Sequence, residues 1–202
     1  MSYNISDFIR DDQMCYDGHL IHNRFAYKLL RNKVLPQGNI VAFRAPMLVE
    51  ASGMIDLEDV LSNDFIYSKD AVNFCWEIPN LEAFGAVAFQ RLFNTQLANI
   101  LYNIIQKPIE VSGDDLFVHD KFVGSDGEEH DKGKCSVSIT YTKNGAAIGH
   151  TGINVNAGPK APGFAYSTKL TDEQIEAFMQ RAIEVFHNMT DSIFVATTKI
   201  IA

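Results

Sequence analysis

Cysteine is scarce in this chain. There are three in 202 residues, Cys15, Cys75 and Cys135, and no Cys-x-x-Cys pair. Any pairing leaves one over, which excludes a disulfide framework and points to a reducing compartment. Long apolar runs are also missing. The most apolar segment starts near Leu81 and is interrupted by Gln90 and Arg91, short of the roughly 18 uninterrupted apolar residues of a membrane span. Positive charge is in deficit, with 17 Lys and Arg against 25 Asp and Glu and a net charge of −8. That balance argues against broad binding to nucleic acid or to anionic membrane. The opening MSYNISDFIRDDQ is acidic and has no apolar signal core, so a cytoplasmic protein is expected. Neither G-x-x-x-x-G-K-S/T nor G-x-G-x-x-G nor G-x-S-x-G occurs, which removes the commonest nucleotide and hydrolase signatures.

What is present is ordinary for a globular protein: 47% apolar and 21% charged residues. At this length a single domain over 1–202 is expected. Gly18–Leu35 reads as a helix closed by Pro36, and Asn39–Val49 as a strand rich in β-branched and aromatic residues. Ala51–Asp64 reads as an acidic loop. Val72, Phe74, Trp76 and Ile78 alternate with Asn73, Cys75 and Glu77, the period of a strand. A helix from Leu81 to about Gln106 is apolar on most sides and should be central and well covered. Short strands follow at Ile109–Val111, Leu116–Val118 and Lys121–Val123, then a polar, mobile loop at Ser125–Gly133. Cys135–Tyr141 and Ala147–Val155 form a hairpin across Asn144-Gly145. Thr171 and Gln174 make a capping box that opens the last helix, and Ser192–Ile201 reads as a closing strand. Few parallel crossovers are available, so the expected class is α+β with a mostly antiparallel sheet packed on helices. The strand edges at Val72–Ile78 and Ser192–Ile201 would need cover, and a homodimer is expected to supply it.

Several residue groups carry candidate chemistry. His19 and His22 share one helix face but lack further ligands, and read as surface or capping histidines. Asp56, Glu58 and Asp59 could hold Mg²⁺ with substrate phosphates, although such a cluster is more often a solvated loop, and no metal site is expected. Cys135 would need His150 as a base, and reads instead as a packed thiol. Lys134 is costly to bury unpaired, so it should meet an anion, either a ligand's or a neighbouring Asp. The alternative is a surface lysine snorkelling at a strand end. Gly152 would let a ligand approach the backbone, or would mark a bulge.

The stretch from Gly113 to Asn156 contains Gly113-Asp114-Asp115-Leu116, Lys134-Cys135-Ser136-Val137-Ser138-Ile139 and Gly152-Ile153-Asn154-Val155-Asn156. In that order, after the helix from Leu81, it resembles the catalytic half of biotin protein ligases and lipoate ligases, which share the class II aminoacyl-tRNA synthetase core. With Phe43-Arg44-Ala45-Pro46 and Met54-Ile55-Asp56-Leu57-Glu58-Asp59, the pattern over roughly Tyr16 to Val195 is similar to the family known as domain of unknown function 366. The resemblance implies a small-molecule enzyme with a ligase-like pocket, acting on an acyl or nucleotide-like ligand, with ATP and Mg²⁺ as the cofactors of the analogy. Lys134 would be the catalytic cation. Arg44 would share the ligand's negative charge, Asp114 or Asp115 would take its amine or hydroxyl groups or a Mg²⁺ ion, Gly152 would lie close to it, and Asn154 would meet its polar edge. The ligases' Gly-Arg-rich or Arg-Arg-x-Ser-Gly-Gly-Gly loop has no counterpart, since Arg44–Asp59 holds one arginine. The alternative is therefore a non-catalytic small-molecule or nucleotide-binding protein that kept the pocket and lost the phosphate-binding loop.

Overall fold

Strands form where β-branched and aromatic residues concentrate. These are β1 (Asn39–Val49), β2 (Ile66–Pro79), β6 (Ser136–Lys143) and β7 (Ala146–Asn156), joined in an antiparallel sheet of order β1-β2-β7-β6. The structure is a computed structural model and describes residues 14–22, 24–30 and 36–200. Asn144 and Gly145 turn the β6–β7 hairpin with φ of 52° and 75°, the left-handed pair that a type I′ turn demands. A smaller antiparallel sheet of order β3-β4-β5 comprises β3 (Ile109–Ser112), β4 (Asp115–Val123) and β5 (Glu129–Lys134).

The alternation seen in β2 sorts its side chains to two faces. Val72, Phe74 and Trp76 join the main core under α4 (Ala83–Ile105) and α5 (Asp172–Thr197). There Phe186 meets Phe89 at 5.5 Å and Phe93 at 5.6 Å, both nearly edge to face. Ala71 and Cys75 point the other way, into a smaller core with Tyr16, Phe43, Met47 and Ile148. This second face is partly covered by α1 (His19–His22) and α2 (Phe25–Leu30). Glu77, almost fully buried, ties α2 down by pairing with Arg24 and accepting from the Tyr27 amide at 3.1 Å. The class is α+β with antiparallel sheets, as the pattern predicts. No helix among the described residues is long and apolar enough to cross a membrane.

Several elements differ from expectation. The helix over Gly18–Leu35 is two short pieces, interrupted at Arg24 with φ 57°, and its expected end at 31–35 lies outside the described residues. Ala51–Asp64 is not a plain loop. It holds α3 (Leu57–Ser62), capped by Asp56, whose carboxylate accepts from the Glu58 amide, and stopped by Asn63 in the left-handed conformation. Lys121–Val123 is the end of β4 rather than a separate strand. Within Ser125–Gly133, residues from Glu129 onward are β5. Aromatic stacking supplies the anchor that aliphatic residues do not: His130 lies on Phe122 at 5.2 Å and its Nε2 meets Asp126.

Helix α4 is covered on one side only. Phe89, Phe93, Leu97 and Leu101 are buried, while Phe84 is 90% exposed and Val87, Leu92 and Tyr102 also face outward. The two sheets and α5 pack against it from one side and leave the opposite side to solvent. Ser192–Thr197 continues α5 instead of forming a strand, because a capped helix extends at one hydrogen bond per residue. Val72–Ile78 lies in the sheet's interior, between β1 and β7. The expected homodimer thus loses both of the edges that argued for it.

Candidate functional site

On the sheet face away from α4 and α5 there is a cleft of about 600 Å³. Its apolar floor includes Val137 and Ile139, successive same-face residues of β6, with His150 and Asn154 of β7 beside them. One wall is the α3 segment, with Asp56, Asp59 and Asp64, and at one end sit Asp114, Asp115 and Lys134.

Lys134 ends β5, and its backbone is held by Phe164 and Tyr166 through bonds of 2.9 and 2.8 Å. Its ammonium pairs with Asp115 at 2.8 Å, so the anion it meets is the neighbouring aspartate. Asp114 occupies the tight turn between β3 and β4. Helix α4 pins that turn, because Asn94 donates to the Asp114 carbonyl at 2.8 Å and Arg91 pairs with its carboxylate at 3.0 Å.

His150 is fully buried and stacks face to face on Tyr16, with ring centroids 3.5 Å apart. Tyr16 is held there as an added strand, donating its amide to Pro46 and accepting from Leu48, both at 2.9 Å. The tautomer of His150 follows from its neighbour. Asn73 donates its amide to the carbonyls of Ala45 and Ala71, so its oxygen faces His150 Nε2 at 2.9 Å and requires an N–H there. His150 Nδ1 is therefore a bare acceptor. It has no partner among the described residues, and neither does Oδ1 of Asn154, a side chain only 4% exposed.

Burial holds the His150 pKa down at about 3. Between that value and the ordinary 6.5, the unfolded chain binds a proton that the folded one does not. Stability should therefore fall by about 1.4 kcal/mol per pH unit below pH ~6. A urea-melt series against pH checks this, and in His150→Phe the slope should flatten.

Of the residues singled out by sequence, Lys134, Asp114, Asp115 and Asn154 come together in the cleft. Arg44 does not. It lies on the helix-facing side of β1, where Asp70 and Asp172 take its guanidinium at 2.6 and 2.7 Å and hold its pKa above the ordinary value. Gly152 sits between His150 and Asn154, but a side chain there would strike Met47 Sδ at 2.4 Å. Its bareness admits Met47 rather than a ligand. Cys135 belongs to the helix-side core, away from the Tyr16 stack of His150, and burial pushes its thiol up to about 12. The packed reading holds. Among the described residues no three His, Cys, Asp or Glu side chains are grouped to hold a metal, and the side chain of His22 lies outside them. Tyr16 and Asp64 escaped the sequence reading. Tyr16 reaches the cleft only through its bridge to Met47, a pairing across 31 positions with no local signature.

The fold has known relatives. A protein of unknown function from Pyrococcus horikoshi is 22% identical, with a TM-score of 0.79 and 96% of each chain covered. A bi-partite lipoate protein ligase from Thermoplasma acidophilum is 12% identical, with a TM-score of 0.56 over 86% of this chain and 82% of that one. A mutant biotin protein ligase from Aquifex aeolicus, in complex with biotin, is 11% identical, with a TM-score of 0.51 over 89% and 69%. These likenesses establish a core of the biotin/lipoate ligase kind. The sequence matches no curated protein. Residues 5–201, nearly the whole chain, match one family, and the chain belongs to it: the family described as Domain of unknown function (DUF366).

Proposed function

We propose that this chain is a small-molecule-binding protein that keeps the ligase-like pocket and lacks the means to handle a nucleoside triphosphate. One observation carries the reading. Lys134 is the one Lys or Arg among the described residues lining the cleft, and it is already paired with Asp115. Arg44, the other cation the ligase analogy asks for, is occupied elsewhere by two carboxylates. ATP does not fit this lining, because its phosphates would meet Asp56, Asp59 and Asp64 with no free cation to offset them. The ligand-facing residues are Lys134, Asp114, Asp115 and Asn154, together with His150.

A second reading, an acyl-adenylate or acyl-transfer enzyme with Lys134 as its cation, draws support from that lysine's place in the cleft of a ligase-like core. Native mass spectrometry of the purified protein, followed by ATP–pyrophosphate exchange with lipoate, biotin and octanoate, separates the two. The expected result is a co-purified small molecule and no exchange. Acid-dependent exchange that disappears in Lys134→Ala but survives in Lys132→Ala would establish the enzyme instead.

A further inference from the structure

The cleft's unmatched groups are all of one kind. His150 Nδ1 and Asn154 Oδ1 are buried acceptors without donors among the described residues. Leaving such a group unpaired costs about 1–3 kcal/mol, so each marks a place where a donor belongs. Asp114 and Asp115 have Arg91 and Lys134 as ion-pair partners, whereas Asp56, Asp59 and Asp64 form no direct ion pair among the described residues, with Lys134 acting on Asp59 only at longer range. Burial, Asp56 and Asp64 push the Asp59 carboxyl up, and the opposing pull of Lys134 does not offset them, as expected where negative charge outweighs positive.

Spacing adds shape to this chemistry. His150 and Asn154 lie four residues apart on one face of β7, about 13 Å along an extended strand. Between them Met47 covers Gly152, and alongside, on β6, Val137 and Ile139 line the cleft with aliphatic carbon. The floor is thus polar at both ends and apolar in the middle.

We propose that the cleft binds an elongated organic ammonium, with N–H groups toward both ends and an aliphatic middle, donating to His150 Nδ1 and Asn154 Oδ1 and neutralised by Asp56, Asp59 and Asp64. This rests on the reading of the cleft as a small-molecule site. A metal ion fits less well, because the carboxylates are strung along the wall and are not grouped around a point.

Isothermal titration of the full chain at physiological salt tests the proposal, with spermidine as probe and octanoate, ATP and MgCl₂ as separate titrants. Spermidine is expected to bind at one site, and its doubly N-acetylated form about tenfold or more weakly. Asp59→Asn combined with Asp64→Asn, at positions where the fold makes little demand, should weaken spermidine about tenfold. Asn154→Leu should do the same while Asn154→Asp, which keeps the acceptor, restores binding. Lys134→Met should tighten it severalfold, because Asp115 is freed.

Spermidine binding that ignores these substitutions would be adsorption to an acidic surface and would overturn the proposal. So would loosening in Lys134→Met, or Mg²⁺ binding alone with the same dependence on the aspartates. Binding of octanoate or ATP without spermidine would overturn it and leave the small-molecule site standing. If no titrant binds and no ligand co-purifies, both readings fall.

Discussion

Phe186→Ala is expected to cost about 3–5 kcal/mol, the range for emptying an aromatic site in a core that cannot collapse. Phe186 is completely buried, and its ring meets those of Phe89, Phe93, Trp76 and His187 at 5.5, 5.6, 6.4 and 5.6 Å. It joins α5, α4 and β2, so the cavity would open where three elements lean on one another. In a chain of this size the loss corresponds to a fall in Tm of roughly 10–15 °C. Phe84→Ala is the matched comparison: the same chemistry on the same helix bundle, at a side chain 90% exposed, with an expected change within about 0.5 kcal/mol. Thermal melts followed by circular dichroism read both. Equal shifts in the two variants would mean that the aromatic cluster is not the centre of the fold.

The second large effect links stability to the cleft. Asn73→Ala should destabilise by about 3 kcal/mol, because the Ala45 and Ala71 carbonyls lose a donor and the His150 N–H loses its acceptor, all in a fully buried setting. Asn73 lies beside the irregularities at Ala45/Met47 of β1 and Asp70/Ala71 of β2, so its amide also closes backbone that the sheet ladder leaves uneven. The functional consequence is separate. Without Asn73 nothing sets the His150 tautomer, and Nδ1 is no longer held as an acceptor. Nitrogen chemical shifts of the His150 ring should report a protonated Nε2 and a bare Nδ1 in the parent, and a mixture in Asn73→Ala. A single unchanged tautomer in the variant would remove Asn73 from the site's organisation.

Much of this architecture is legible in the chain itself. Alternation in β2, the Asn144-Gly145 turn and the Thr171–Gln174 capping box are local signals. Each follows from backbone preferences and side-chain periods that operate within a few residues. The ordered motifs around Asp114, Lys134 and Asn154 likewise pointed to residues that do share one cleft, and to a ligase-like core. What failed was local reading at places governed by remote partners. Ser192–Thr197 alternates like a strand but prolongs a helix already nucleated twenty residues earlier, and β5 forms because Phe122 and His130 stack across its hairpin.

The site divides in the same way. Sequence by itself determined which residues could carry charge: a lysine among aspartates, and a lone arginine where the ligase pattern has several. Only the tertiary structure decided their partners. It turned Arg44 to the helix side, where Asp70 and Asp172 lie 26 and 128 positions away in the chain, and it gave Lys134 to Asp115. It also set Tyr16 on His150 and left two buried acceptors, on residues that line the cleft, without partners among the described residues. The physical reason is that a side chain's period assigns its face, whereas its charge or lone pair acts on whatever the fold brings within about 3 Å.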